Sequence, residues 1–123
     1  MLLLDSIIDQ GPDCVRCQAS VRADCPLVDP HGMPAWALPE HIAQAAAVLR
    51  GLAGGDTQRT GYLAALSEVS LSGPEHVPVG ALLEVSARRC GPARDSMALL
   101  EGEVRRGGQV ICLARLVVKE DPG

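Results

Sequence analysis

One helix-forming stretch set among strands constrains this chain more than anything else in it. Pro34-Ala35-Trp36-Ala37-Leu38-Pro39-Glu40-His41 leads into Ile42-Ala43-Gln44-Ala45-Ala46-Ala47, and the pattern predicts a helix from about Trp36 to Leu52. Pro39 is accommodated in the first turn, where its missing N–H costs nothing. Gly51, Gly54 and Gly55 supply the stop. The body of the helix is small and apolar, so a sheet can close tightly around it. Glu40 is the one acidic side chain in the helix, and Gln44 follows one turn later on the same face.

The flanking sequence reads as strands. Leu2 to Ile8 is a short apolar segment that ends at the turn Gln10-Gly11-Pro12-Asp13. From Cys14 to Arg22, Val15, Cys17, Ala19 and Val21 alternate with polar residues, the signature of a half-buried strand. Asp24 to Pro34 is a loop punctuated by Pro26, Pro30 and Gly32. After the helix come strands at Tyr62–Leu71, Ala81–Arg89, Met97–Arg105 and Gln109–Lys119. Gly107-Gly108 between the last two is a hairpin signal. Val110, Cys112, Ala114, Leu116 and Val118 are expected to form the inward face of the final strand. The fold class is therefore α+β, one helix against an antiparallel meander, with residues 1–123 expected to form one domain. One helix on one sheet covers only one side of each, so a dimer is expected.

Composition removes several function classes. The 123 residues include one Trp, one Tyr and no Phe, which leaves no aromatic platforms for stacking bases. A formal net charge of −4 argues against a nucleic-acid ligand, because phosphate binding needs a positive field. Arg88, Arg89, Arg94, Arg105 and Arg106 cluster late, which is either a basic patch for an acidic partner or a solvated face. Five cysteines without a secretory signal read as free thiols in the cytoplasm. Met1-Leu2-Leu3-Leu4 is broken at once by Asp5, so no membrane span is expected.

The remaining motifs carry little chemistry of their own. Cys14 and Cys17 form a lone Cys-x-x-Cys, but residues three apart on a strand project to opposite faces and cannot chelate together. No metal site and no cofactor are expected. Gly54-Gly55 follows a helix instead of preceding one, unlike a phosphate-binding loop. Cys90 and Cys112 read as small hydrophobes in strands. His41 is expected to be structural or exposed, and His76 solvated. Trp36 is a core anchor or lines an acyl channel or dimer seam, with the core reading preferred.

This order of elements, with the acidic-x-x-Ala-Gln pattern of Glu40, Ala43 and Gln44, resembles the hotdog fold. It looks most like the 3-hydroxyacyl-[acyl-carrier-protein] dehydratases of fatty-acid and polyene synthesis. Pro34-Ala35-Trp36 and Gly61-Tyr62-Leu63-Ala64-Ala65-Leu66 are similar to the dehydratase-like branch found with aryl-polyene biosynthesis. The resemblance implies loss of water from a 3-hydroxyacyl thioester carried on the phosphopantetheine of an acyl carrier protein. A loop histidine takes the C2 proton, the helix carboxylate assists departure of the hydroxyl, and a backbone N–H at the helix start holds the carbonyl. On this chain the resemblance makes Glu40 the catalytic carboxylate. Ala35 and Trp36 become the carbonyl-binding residues, and Gln44 a positioning group bonded to the carboxylate or to the loop backbone.

The chain departs from the family where the histidine should stand, near Asp24-Cys25-Pro26. His31 is the one histidine in that loop and is the candidate base; Cys25 is an alternative. The departure equally suits weakened activity, or a non-catalytic hotdog subunit that partners an active dehydratase as a heterodimer instead of a homodimer. Thioesterase chemistry is a third reading, because hotdog proteins with one helix carboxylate also hydrolyse acyl thioesters.

Overall fold

The computed structural model describes residues 2–49, 63–91 and 97–119. The strands are β1 (Ser6–Gln10), β2 (Cys14–Ser20), β3 (Met33–Pro34), β4 (Leu63–Leu71), β5 (His76–Val77), β6 (Leu82–Arg89), β7 (Met97–Arg106) and β8 (Gln109–Lys119). A 3-10 turn, Ala35–Ala37, leads directly into the helix α1, Leu38–Leu49. The expected continuation of the helix to Leu52, its glycine stop, Gly61-Tyr62 and Arg94 lie outside the described residues.

Six strands form one sheet in the order β1-β2-β6-β7-β8-β4, antiparallel throughout, and β3 pairs with β5 in a separate two-stranded sheet. The β7–β8 hairpin turns on Gly107 and Gly108, both at positive φ (58° and 82°), the conformation that a twist-matched two-residue turn demands. Helix α1 lies across β6, β2, β7 and β8, burying Leu38, His41, Ile42, Ala45, Ala46 and Leu49. Opposite them, Val15, Cys17, Ala19, Leu83, Val85, Ala87, Leu100, Val104, Cys112, Ala114, Leu116 and Val118 line the concave face. With no Phe in the chain, branched aliphatics and alanines fill this layer, each large side chain contributing about 1.5–3 kcal/mol on burial. This sheet wrapped around one helix is the hotdog arrangement.

Contact between helix and sheet is closest at Gly102. A Cβ there would run into Ile42 Cγ2 and lie 2.7 Å from the Ser86 carbonyl oxygen, so glycine is what lets the helix settle on β7. Cys14 is exposed and Cys17 buried, the opposite projection expected of that pair.

Two expectations about strands shift. The first apolar segment is not a strand throughout: Leu3 and Leu4 are buried ahead of β1, whose five residues are all exposed. In β8 the inward row begins with Ile111 and Cys112, both buried, while Val110 is half-buried. The pairing jumps from Val104↔Cys112 to Arg105↔Val110, so Ile111 is the extra residue of a bulge. A strict alternation does not anticipate that extra residue. Ile111 turns in beneath Gly73, where an added Cβ would lie 2.7 Å from Ile111 Cβ.

Candidate functional site

Glu40 stands in the first turn of α1, exposed, with no hydrogen-bond or ion-pair partner among the described residues. Its neighbours in sequence are buried on either side, so the helix anchors itself through Pro39, His41 and Ile42 and presents the carboxylate outward. A carboxylate in the first turn is favoured by the helix dipole.

The backbone before it is fixed by the short β3–β5 sheet. Pro34 pairs with His76, and the Ala35 N–H donates to the Glu75 carbonyl at 2.8 Å. Ala35 therefore spends its amide on the chain itself. Trp36, one residue further along the 3-10 turn, has no backbone hydrogen bond to another element among the described residues, as is usual for early amides of a helix. Its indole is 67% exposed, so the preferred core-anchor reading of Trp36 is corrected: the ring stands on the surface beside the helix start because the flanking Ala37 and Leu38 take the core positions.

Gln44 Oε1 accepts the N–H of Leu3 at 2.7 Å, tying the N-terminal segment to the helix. His41, expected to be structural or exposed, is 1% exposed. Its Nδ1 lies 3.3 Å from the Ala37 carbonyl one turn back. Burial pushes its imidazole pKa down, which keeps the ring neutral.

His31 occupies the tip of a tight turn. Asp29 N–H donates to the Gly32 carbonyl at 2.9 Å and Gly32 N–H to the Asp29 carbonyl at 3.0 Å. Gly32 sits at φ +116°, and any side chain there would strike the Val77 carbonyl, so the turn packs flush against β5. His31 makes no hydrogen bond or ion pair with Glu40. Its ring neighbours that of His76, centroids 5.5 Å apart at 60°. Between them lies Asp29: Oδ1 accepts the His31 backbone N–H at 2.7 Å, and Oδ2 meets His76 Nε2 at 2.9 Å. The His31 N–H, followed by the His76 contact and charge, holds the Asp29 carboxyl below the usual carboxylate range. The expectation of a solvated His76 is thereby corrected, since the ring is partly covered and paired. No short-range pattern links residues 29 and 76; they meet because β3 pairs with β5. Cys25 belongs to the apolar core.

Of the late arginines, Arg88, Arg89 and Arg105 are ion-paired. Across the outer face runs a row of alternating charge, Arg88–Glu101 (2.6 Å), Glu101–Arg115 (3.5 Å) and Arg115–Glu68 (3.9 Å), one residue from each of β6, β7, β8 and β4. Arg105 pairs with Glu103 and Arg89 with Asp13. A cleft of about 450 Å³ on this face, lined by Cys14, Arg16, Arg88, Glu101 and Glu103, lies across the sheet from the helix. Among the described residues no group of His, Cys, Asp and Glu is placed to hold a metal ion. No helix among them is long and apolar enough to cross a membrane.

A sheet wrapped around one helix defines a hotdog protein. The profile of the ApeP-like family, described as ApeP dehydratase, matches residues 1–122, and the chain belongs to that family. Among solved structures, the dehydratase heterocomplex ApeI:P from Xenorhabdus doucetiae is similar at TM-score 0.75 and 24% identity, covering 98% of this chain and 83% of that one. The TT0310 protein from Thermus thermophilus follows at 0.68 and 20%, covering 94% and 91%. A hypothetical thioesterase from Streptococcus pneumoniae, solved with coenzyme A, has TM-score 0.69 and 11% identity, covering 94% and 84%. These likenesses show the fold. No curated protein sequence matches the chain.

Proposed function

We propose that this chain is a single-domain, cytoplasmic hotdog subunit that takes 3-hydroxyacyl thioesters from an acyl carrier protein in fatty-acid or polyene synthesis and dehydrates them. The observation that carries the reading is Glu40: an exposed, unpaired carboxylate in the first turn of the central helix of an ApeP-like chain. In this reading Glu40 faces the 3-hydroxyl and, from its protonated form, delivers a proton to it as the C3–O bond breaks. The Trp36 N–H, at the positive end of the helix, holds the thioester carbonyl. Ala35 supports that amide through its bond to Glu75, and Gln44 keeps the N-terminal segment clear of the acyl path. The loop before the helix contributes His31, whose backbone N–H is held on Asp29.

The site is completed by a second hotdog subunit. Leu66, Val69 and Leu71 pair with Leu116, Ala114 and Cys112, so they face the helix side of the sheet, yet each is 45–46% exposed. Strand β4 is also a sheet edge with unpaired backbone groups. An apolar edge of this kind is a pairing surface, for a second copy or for a related subunit, as in the ApeI:P heterocomplex.

The test is incubation of the purified protein with a 3-hydroxyacyl carrier protein, alone and with an active dehydratase subunit, followed by mass spectrometry. Loss of water that disappears in Glu40→Gln is expected. No dehydration under either condition sinks the enzymatic claim. A second reading rests on the absence of a histidine at Asp24–Pro26 and of any bond between His31 and Glu40. The chain is then a non-catalytic partner that shapes the channel of an active subunit. A stable heterodimer whose activity survives Glu40→Gln identifies that role, and release of free acid identifies thioesterase chemistry instead.

A further inference from the structure

We infer that Asp29 and His76 form the proton-transfer dyad of this site, with His76 as the base and Asp29 as its positioning residue; the inference rests on the dehydratase reading. The chain has three histidines. His41 is 1% exposed and turned onto the carbonyl of its own helix, out of reach of any substrate. His31 holds the pair through its backbone, while its ring makes no hydrogen bond among the described residues. His76 alone has a ring nitrogen seated on a carboxylate, Nε2 to Asp29 Oδ2 at 2.9 Å.

That contact sets the chemistry of the other nitrogen. A carboxylate only accepts, so Nε2 carries the proton, and in the neutral ring the lone pair is left on Nδ1. An imidazole with its tautomer fixed by a carboxylate is the usual form of an oriented base. Its backbone is set against the helix start: His76 pairs with Pro34, and the neighbouring Glu75 carbonyl takes the Ala35 N–H. His76 thus lies beside Pro34, the residue before the 3-10 turn that carries Trp36. Asp29 is fixed from its other side by the His31 N–H and by the closed Asp29–Gly32 turn, so the acceptor is held before substrate arrives.

In the step itself, His76 Nδ1 takes the C2 proton, and the C2–H electron pair becomes the C2=C3 double bond. The C3–O bond breaks, and the hydroxyl leaves as water with the proton delivered by Glu40. Return of the imidazolium proton to Glu40 through solvent restores both groups.

The test compares wild type, His76→Asn, Asp29→Asn and Glu40→Gln with 3-hydroxyoctanoyl-pantetheine, in the presence of a partner subunit if the protein needs one. Mass spectrometry reads enoyl product, and the reaction in D2O reads deuterium at C2. Loss of the base is expected to lower kcat about 100-fold or more in His76→Asn, with C2 exchange lost in parallel. In Asp29→Asn the amide donates to Nε2 and drives the proton to Nδ1. There kcat falls with KM unchanged, and nitrogen-15 NMR shows the exchanged tautomer, which a purely structural clip does not explain. Circular dichroism on each variant confirms the fold. Wild-type kcat in His76→Asn while Glu40→Gln is inactive overturns the dyad and leaves the dehydratase reading standing. No product or exchange from wild type overturns both.

Discussion

Gln44 Oε1 accepts the backbone N–H of Leu3 at 2.7 Å, across 41 residues of sequence. A helix glutamine thus clips the start of the chain onto the helix and holds Leu3 and Leu4 in the core, where they are 3% and 6% exposed. Gln44→Ala leaves that part-buried N–H without its acceptor, a change that costs about 1–3 kcal/mol. Thermal melting is expected to show the loss, and amide exchange at Leu3 to accelerate while the β7–β8 hairpin stays protected. Unchanged exchange at Leu3 would show that the clip is not what holds the segment.

His41 gives the fold a pH dependence of known sign. Its folded pKa lies below the ordinary 6.5 because burial disfavours the charged ring. Between that lowered value and 6.5 the unfolded chain binds a proton that the folded chain does not, so stability falls as pH drops through the window. Asp29 and Glu101 have lowered carboxyl pKa values, from 3.8 and 4.5. The stability they contribute is lost only at more acid pH. Denaturant midpoints measured from about pH 7 to about pH 5 should decline in wild type and decline less in His41→Met; parallel curves would refute the assignment.

Gly102 and Ile42 form a matched pair. Gly102→Ala drives a methyl into Ile42 Cγ2 and toward the Ser86 carbonyl, an overpacking expected to cost about 1–3 kcal/mol. Ile42→Ala alone opens a cavity and costs about 2–5 kcal/mol. Because each change relieves part of the other, the double variant should be more stable than the sum of the two predicts, a coupling of about 0.5–3 kcal/mol. Additive costs would place the helix–sheet contact elsewhere.

The β4 edge yields a solution test. Val69→Glu puts a charge into the exposed apolar row Leu66–Val69–Leu71 without touching the helix–sheet core. Sedimentation is expected to show wild type self-associating, or associating with a second hotdog subunit, and the variant monomeric. Trp36, the sole tryptophan, is 67% exposed in the single chain. Its fluorescence should move to the blue when wild type pairs and stay red-shifted in Val69→Glu. A variant that pairs as wild type does would remove β4 from the interface.

The sequence by itself determined the start of the helix and the long strands around it, and it singled out Glu40 at the helix start. Those features are local: 3.6-residue periodicity places Ile42, Ala45 and Leu49 on one face, and alternation places Val15, Cys17 and Ala19 on another. It also located Glu40, because a motif a few residues long survives as a motif on a helix. Only tertiary structure decided the rest. Ile111 faces inward because a bulge adds one residue to β8, and Gln44 serves Leu3 because the N-terminus folds back over the helix. The Ala35 amide is taken by Glu75, and Asp29 meets His76, because β3 lies beside β5. Each of these depends on which distant segments come to touch, and the closing of long loops leaves no mark on local composition.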